Sequence, residues 1–148
     1  DLAAAVQMMT ELNYVGEVLG GMKAVTALTD VTGFGLLGHL IEVCEGSHLS
    51  AELDYAAVPL LSSAKKYAGQ MVYPDNTMRN WSSYQSRVEG IGSESLLTLC
   101  DPQTSGGLLI CVRDTEKQKV EDVLTNRGVP VHRIGRMIPK SEKVVYIR

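Results

Sequence analysis

The apolar residues of this chain change period several times, and each change predicts an element. From Leu2 to Leu19, Val6, Met9, Leu12, Val15 and Leu19 recur at near-helical spacing behind a run of alanines, and Gly20-Gly21 ends the run. This predicts one amphipathic helix. Val25 to Thr29 is a short apolar run bounded by Asp30, expected to be a buried strand. Gly33 to Cys44 returns to helical spacing, with Leu36, Leu37, Leu40, Ile41 and Cys44 on the buried side and Gly46 as the stop. Leu49 to Tyr55 alternates as a strand, and Pro59 opens a further helix carrying Leu60, Leu61, Ala64 and Tyr67.

Between Gly69 and Ser93 the periodicity fails, and the segment reads as a long loop. Glu94 to Leu99 predicts a short helix, and Leu108 to Val112 a strand with few polar atoms. Thr115 caps a helix running to Asn126, with Gly128 behind it. Val131 to Met137 and Lys143 to Ile147 close the chain as strands around a Pro139-Lys140-Ser141 turn. No period repeats, so the expectation is one mixed α+β domain over residues 1–148.

Composition narrows the function classes. Apolar residues make up 45% of the 148, enough for a core and against wholesale disorder. The net charge is −3 and the basic residues are scattered, which argues against a nucleic-acid partner. No apolar run approaches the roughly 20 residues that span a bilayer, and no basic stretch precedes an apolar one at the start as in a signal peptide. Cys44, Cys100 and Cys111 form no C-x-x-C pair, so a reduced, cytoplasmic protein is expected. The chain begins with Asp1 instead of Met, as a processed protein or a piece of a longer one would.

Two segments carry chemistry. In Thr29-Asp30-Val31-Thr32-Gly33-Phe34-Gly35-Leu36-Leu37-Gly38, a strand passes into a helix through a glycine-rich turn with an acid at its edge. A helix N-terminus offers free N–H groups and a positive dipole end to phosphate. A carboxylate there repels phosphate unless a cation lies between, so the pattern suggests a metal–phosphate site. The plainer reading is a tight helix start with Asp30 complementing the dipole. The spacing of Gly33, Gly35 and Gly38, with Asp54 further on, also matches a dinucleotide fingerprint, although no serial βαβ units follow. The second segment, Cys100-Asp101-Pro102-Gln103-Thr104-Ser105-Gly106-Gly107, packs an acid, an amide and two hydroxyls into one turn. Such groups suit phosphate or metal-water contacts. In the irregular stretch, Arg79 could meet phosphate and Asn80 could orient a ligand beside Trp81. His39, His48 and His132 share no ligand-like spacing.

Taken together, the two segments, the intervening Arg79-Asn80 and the Gly135-Arg136-Met137-Ile138-Pro139 run resemble the selenophosphate synthetase (selenide, water dikinase) family over nearly the whole chain. The resemblance covers only the C-terminal half of such an enzyme. It implies an α+β fold, a mixed sheet flanked by helices, like the C-terminal domain of aminoimidazole ribonucleotide synthetase. It implies that selenide, ATP and water yield selenophosphate, AMP and phosphate with Mg²⁺ as cofactor. On the matching positions, Asp30 would contribute to the metal site. Thr32, Gly33, Gly35, Thr104, Ser105, Gly106 and Gly107 would line the ATP phosphates, and Arg79, Asn80 and Asp101 would shape the site. The family's catalytic Cys or selenocysteine and its lysine lie in the other half, so no catalytic residue is expected here. The implied partners are the N-terminal domain of the same enzyme and, for the full-length protein, a second copy. The alternatives are a relative of hydrogenase maturation or thiamine-phosphate kinase type, and a non-catalytic interaction domain.

Overall fold

The computed structural model describes residues 2–148. The chain runs through α1 (Leu2–Thr10), α2 (Val15–Gly20), β1 (Val25–Asp30), α3 (Gly35–Ser47), β2 (Leu49–Leu53), α4 (Ser62–Gly69), α5 (Asp75–Tyr84), β3 (Val88–Glu89), α6 (Ser93–Leu99), β4 (Leu108–Val112), α7 (Lys117–Thr125), β5 (Gly135–Pro139) and β6 (Val145–Ile147). The expected α+β class is found, with the strands divided between two sheets.

The first sheet is a two-stranded antiparallel ribbon, β1 with β4, in which Asp30 pairs with Leu108. The second is mixed, in the order β3-β6-β2-β5. Its β2 pairs antiparallel with β5 and parallel with β6. The two strands expected around the Pro139 turn therefore do not pair with each other; β2 lies between them.

The ribbon stands between two apolar clusters. Leu109 joins the larger one, built from α3, α6 and the mixed sheet around Leu37, Ile41, Leu53, Leu99 and Val145. Leu108, Ile110 and Val112 pack instead with Val15, Leu19, Val120 and Leu124 of α2 and α7. Alternate side chains of a strand point to opposite faces, so a strand buried on both sides reads as a continuous apolar run. That is why Leu108 to Val112 has so little polar content. Each aliphatic side chain fully buried in these clusters contributes roughly 1.5–3 kcal/mol.

Several sequence expectations need correction. Gly46 lies inside α3, which runs to Ser47, and β5 starts only at Gly135 and ends on Pro139. The single helix over Leu2 to Leu19 is two, broken at residues 11–14, and α1 buries none of its residues. Pro59 stands outside α4, which starts at Ser62 and buries only Ala68. The supposed loop from Gly69 to Ser93 contains a ten-residue helix, α5, whose buried residues are Thr77 and Tyr84. A helix whose inner face carries a hydroxyl and aromatic rings gives no aliphatic period to read. Residues 114–116 form a separate turn of 3-10 helix before α7, so Thr115 is not its cap.

Candidate functional site

Because β1 and β4 are antiparallel, the end of one lies beside the start of the other. The segment leaving β1 and the segment entering β4 therefore meet, although some seventy positions separate them in sequence. Three backbone hydrogen bonds join them: Val31 N–H to Gly107 O at 2.9 Å, Gly106 N–H to Val31 O at 2.9 Å, and Gln103 N–H to Thr32 O at 3.0 Å. The two sequence motifs are one surface.

Two glycines make the approach possible. A Cβ on Gly35 would lie 2.6 Å from Leu99 O and 2.8 Å from Cys100 C, and its φ of +72° disfavours other residues. A Cβ on Gly106 would lie 2.9 Å from Gln103 Cβ and 3.0 Å from Val31 O. Both keep the loops close.

His39 was not singled out by spacing, yet it holds the first loop. It is buried on α3, and its Nε2 accepts the Thr32 N–H at 3.0 Å. The Thr32 hydroxyl lies 3.2 Å from the same nitrogen. A backbone amide can only donate, so Nε2 is the acceptor and the ring proton is on Nδ1. Glu42 approaches Nδ1 at 3.5 Å, which is attraction but too long for a hydrogen bond, and Nδ1 has no hydrogen-bond partner among the described residues. The signal in the sequence was a polar ring on the apolar side of a helix, seven positions beyond the loop it holds.

The predicted residues now sort by what they touch. Asp30 is exposed at the tip of β1. The Thr32 N–H is taken by His39 and the Gly35 N–H by Thr32 O at 3.0 Å, so both shape the loop from inside. Ser105, at φ +54°, donates its hydroxyl to Glu11 O at 2.7 Å, fastening the second loop to the segment after α1. Among the described residues, the Thr104 hydroxyl and the N–H groups of Gly33 and Gly107 make no hydrogen bond within the chain. Asn80 donates to Gly33 O at 2.9 Å and to Cys100 O at 3.0 Å. Arg79, on the same helix, is exposed and makes no ion pair among the described residues.

A cleft of about 220 Å³ lies against the second loop, lined by Met8, Met9, Leu61, Asp101, Thr104 and Ser105 among others. Burial raises the Asp101 carboxyl above its ordinary range, against the lowering effect of the hydrogen bond from the Gln103 amide. Desolvated acids in clefts are frequent at functional sites. A larger cleft of about 370 Å³ is lined by Glu52, Asp54, Arg133, Gly135, Arg136 and Arg148. It contains no residue of the two motifs, and its arginines are paired with Glu52 and Glu121; the second motif lines the smaller cleft. The thiols are quiet: burial pushes Cys44 up to about 12 and Cys100 up to about 11.

The model of one protein family, "AIR synthase related protein, C-terminal domain", matches residues 2–148. The chain belongs to this family. Within the AIR synthase related group, similar curated proteins bear the name selenide, water dikinase. The one from Haemophilus influenzae Rd is 43% identical over 143 residues, covering 97% of this chain and 41% of that protein. The one from Pseudomonas aeruginosa is 42% identical over 147 residues, covering 99% and 43%. The chain thus spans about two fifths of the length of the curated relatives it matches. Among solved structures, Escherichia coli HypE, a hydrogenase maturation protein, superposes with a TM-score of 0.62 at 18% identity, covering 88% of this chain and 34% of its own. Thiamine-monophosphate kinase from Stenotrophomonas maltophilia gives 0.55 at 15%, covering 83% and 31%. These two likenesses show a fold shared with both proteins. The strand topology removes the dinucleotide reading. That reading needs β1 and β2 side by side and parallel in one sheet, whereas here they belong to different sheets and Asp54 caps the turn after β2 by accepting Ala56 N–H.

Proposed function

We propose that this chain is the C-terminal domain of a two-domain selenophosphate synthetase, forming one wall of the site where ATP, selenide and water become selenophosphate, AMP and phosphate. The observation that carries the reading is the junction of the Asp30 loop and the Asp101–Gly107 loop at one end of the β1–β4 ribbon. The names and identity of the curated relatives support it.

In this reading the exposed Asp30 carboxylate is one magnesium ligand. The described residues gather no group of three His, Cys, Asp or Glu side chains that could hold a metal. One carboxylate still suits magnesium, which keeps waters and binds through few carboxylates together with substrate phosphates. Bound there, the ion would neutralise charge on the phosphate oxygens. The N–H groups of Gly33 and Gly107 and the Thr104 hydroxyl would donate to those oxygens, fixed in place before substrate arrives. Thr32, Gly35, Ser105 and Gly106 would set the loop shapes, and Arg79 would add positive charge at the rim. No nucleophile is assigned to this chain. The N-terminal domain of the same enzyme would supply it, and a second copy would complete a homodimer. No described helix is long and apolar enough to cross a membrane, and the free thiols suit the cytoplasm.

The test is Asp30→Asn in the full-length enzyme. Loss of one charged ligand is expected to lower selenide-dependent AMP formation by at least about tenfold and to raise the magnesium requirement. Undiminished turnover by the variant, or selenide-dependent turnover by this chain alone, would sink the proposal. ATP cleavage indifferent to selenide would assign the chain to a different branch of its family.

A further inference from the structure

Asn80 belongs to neither motif. It lies on α5, and its side-chain amide nitrogen reaches both Gly33 O and Cys100 O. Only the NH₂ end of the amide can face two carbonyl oxygens, so its orientation is fixed and both of its hydrogens are engaged. The backbone bonds between the loops involve residues 31, 32, 103, 106 and 107. Asn80 joins the loops at a separate point, between Gly33, just ahead of α3, and Cys100, which caps the end of α6.

The helix beneath Asn80 is firmly seated. Tyr84 is buried, donates its hydroxyl to Phe34 O at 3.1 Å, and presses its ring toward Gly38, where a Cβ would lie 3.2 Å from Tyr84 Cε1. Trp81 packs against the larger cluster, and Thr77 is fully buried. The position of Asn80 is thus set by a helix that is seated independently of the Asn80 side chain.

We infer that Asn80 is a positioning residue: it braces the Asp30 loop against the Asp101–Gly107 loop, and the spacing it sets governs affinity for a magnesium-bound polyphosphate lying across both. The inference deepens the function proposed above and rests on it. Asn80 gives no hydrogen bond to the phosphates in this scheme, since both of its donors are occupied. Asn80→Ala removes the brace, and Asn80→Asp puts a carboxylate against two carbonyl oxygens, where it repels them.

The experiment uses the full-length enzyme with both variants. Binding of magnesium-ATP is followed by calorimetry, and backbone hydrogen exchange is read at Gln103 and Gly106, with Ala51 of β2 as the distant reference. Expected results are an affinity loss of about tenfold in each variant, faster exchange at Gln103 and Gly106, and unchanged exchange at Ala51. Unaltered affinity would overturn the inference, as would exchange that accelerates equally at Ala51, which marks general destabilisation. If Asn80→Asp does not fold, Asn80→Ala carries both readings. If the unaltered enzyme takes no magnesium-ATP, the proposed function fails, and the exchange measurement still decides whether the brace exists.

Discussion

At the residue scale, Asp101 shows how the fold opposes its own side chain. Burial raises its pKa above the ordinary 3.8, so the folded state favours the protonated acid. The stability contributed by that proton is complete below the unfolded value and is lost as pH rises through the folded one. Asp101→Asn keeps the shape without the charge. The variant should therefore gain on the wild type as pH is raised from about 3.8, levelling off once Asp101 is ionised. Urea midpoints of the two proteins across that range decide it; a gap that moves the other way would show that the ionised carboxylate is the favoured form. A desolvated anion in the cleft is also a group that gains from a nearby cation. This property could not be read from sequence, where Asp101 was one polar residue among several in a turn. His39 shows the same limit: its type was visible, but its contact with Thr32 needed the curl of the loop back onto α3.

At the element scale, what was legible depended on where the burial came from. β1, α3, α6 and β4 bury aliphatic side chains and were found close to their true bounds. α5 leaves no aliphatic period in the sequence because Thr77, Trp81 and Tyr84 do its packing. α1 and α2 merged because the apolar stripe continues through Leu12, although the chain leaves the helix there. The lost helix mattered most, since it carries both Arg79 and Asn80. Its anchoring can be divided by substitution. Tyr84→Phe removes one hydrogen bond to Phe34 O and should cost about 1 kcal/mol. Tyr84→Ala opens a cavity against α3 and should cost about 3–5 kcal/mol. Chemical denaturation of the two variants measures both, and equal losses would mean that the ring contributes little.

At the scale of the whole molecule, the motifs were legible as chemistry but their meeting was not. Turn residues reveal themselves locally, whereas the antiparallel pairing of β1 with β4 joins segments that local pattern cannot connect. The same holds for β5 and β6, which flank β2 instead of pairing with each other. The two apolar clusters on either side of the ribbon settle its register, because a slip by one position would send Leu109 to the wrong cluster and its neighbours to the other.

The ribbon is irregular at one end only. Its register shifts between Val25 and Ala27, far from the loops, and runs evenly from Ala27 to Asp30. A bulge accommodates an extra residue by bending the strand locally, so this protein has a place where chain length can vary and a place where it cannot. An alanine inserted beside Thr26 should be absorbed with modest loss of melting temperature. The same insertion between Leu28 and Thr29 should abolish cooperative melting, since it would turn every following side chain over and draw Asp30 away from Leu108. Thermal unfolding of the two insertion variants would show whether the ribbon is a slack tether at one end and a fixed gauge at the other.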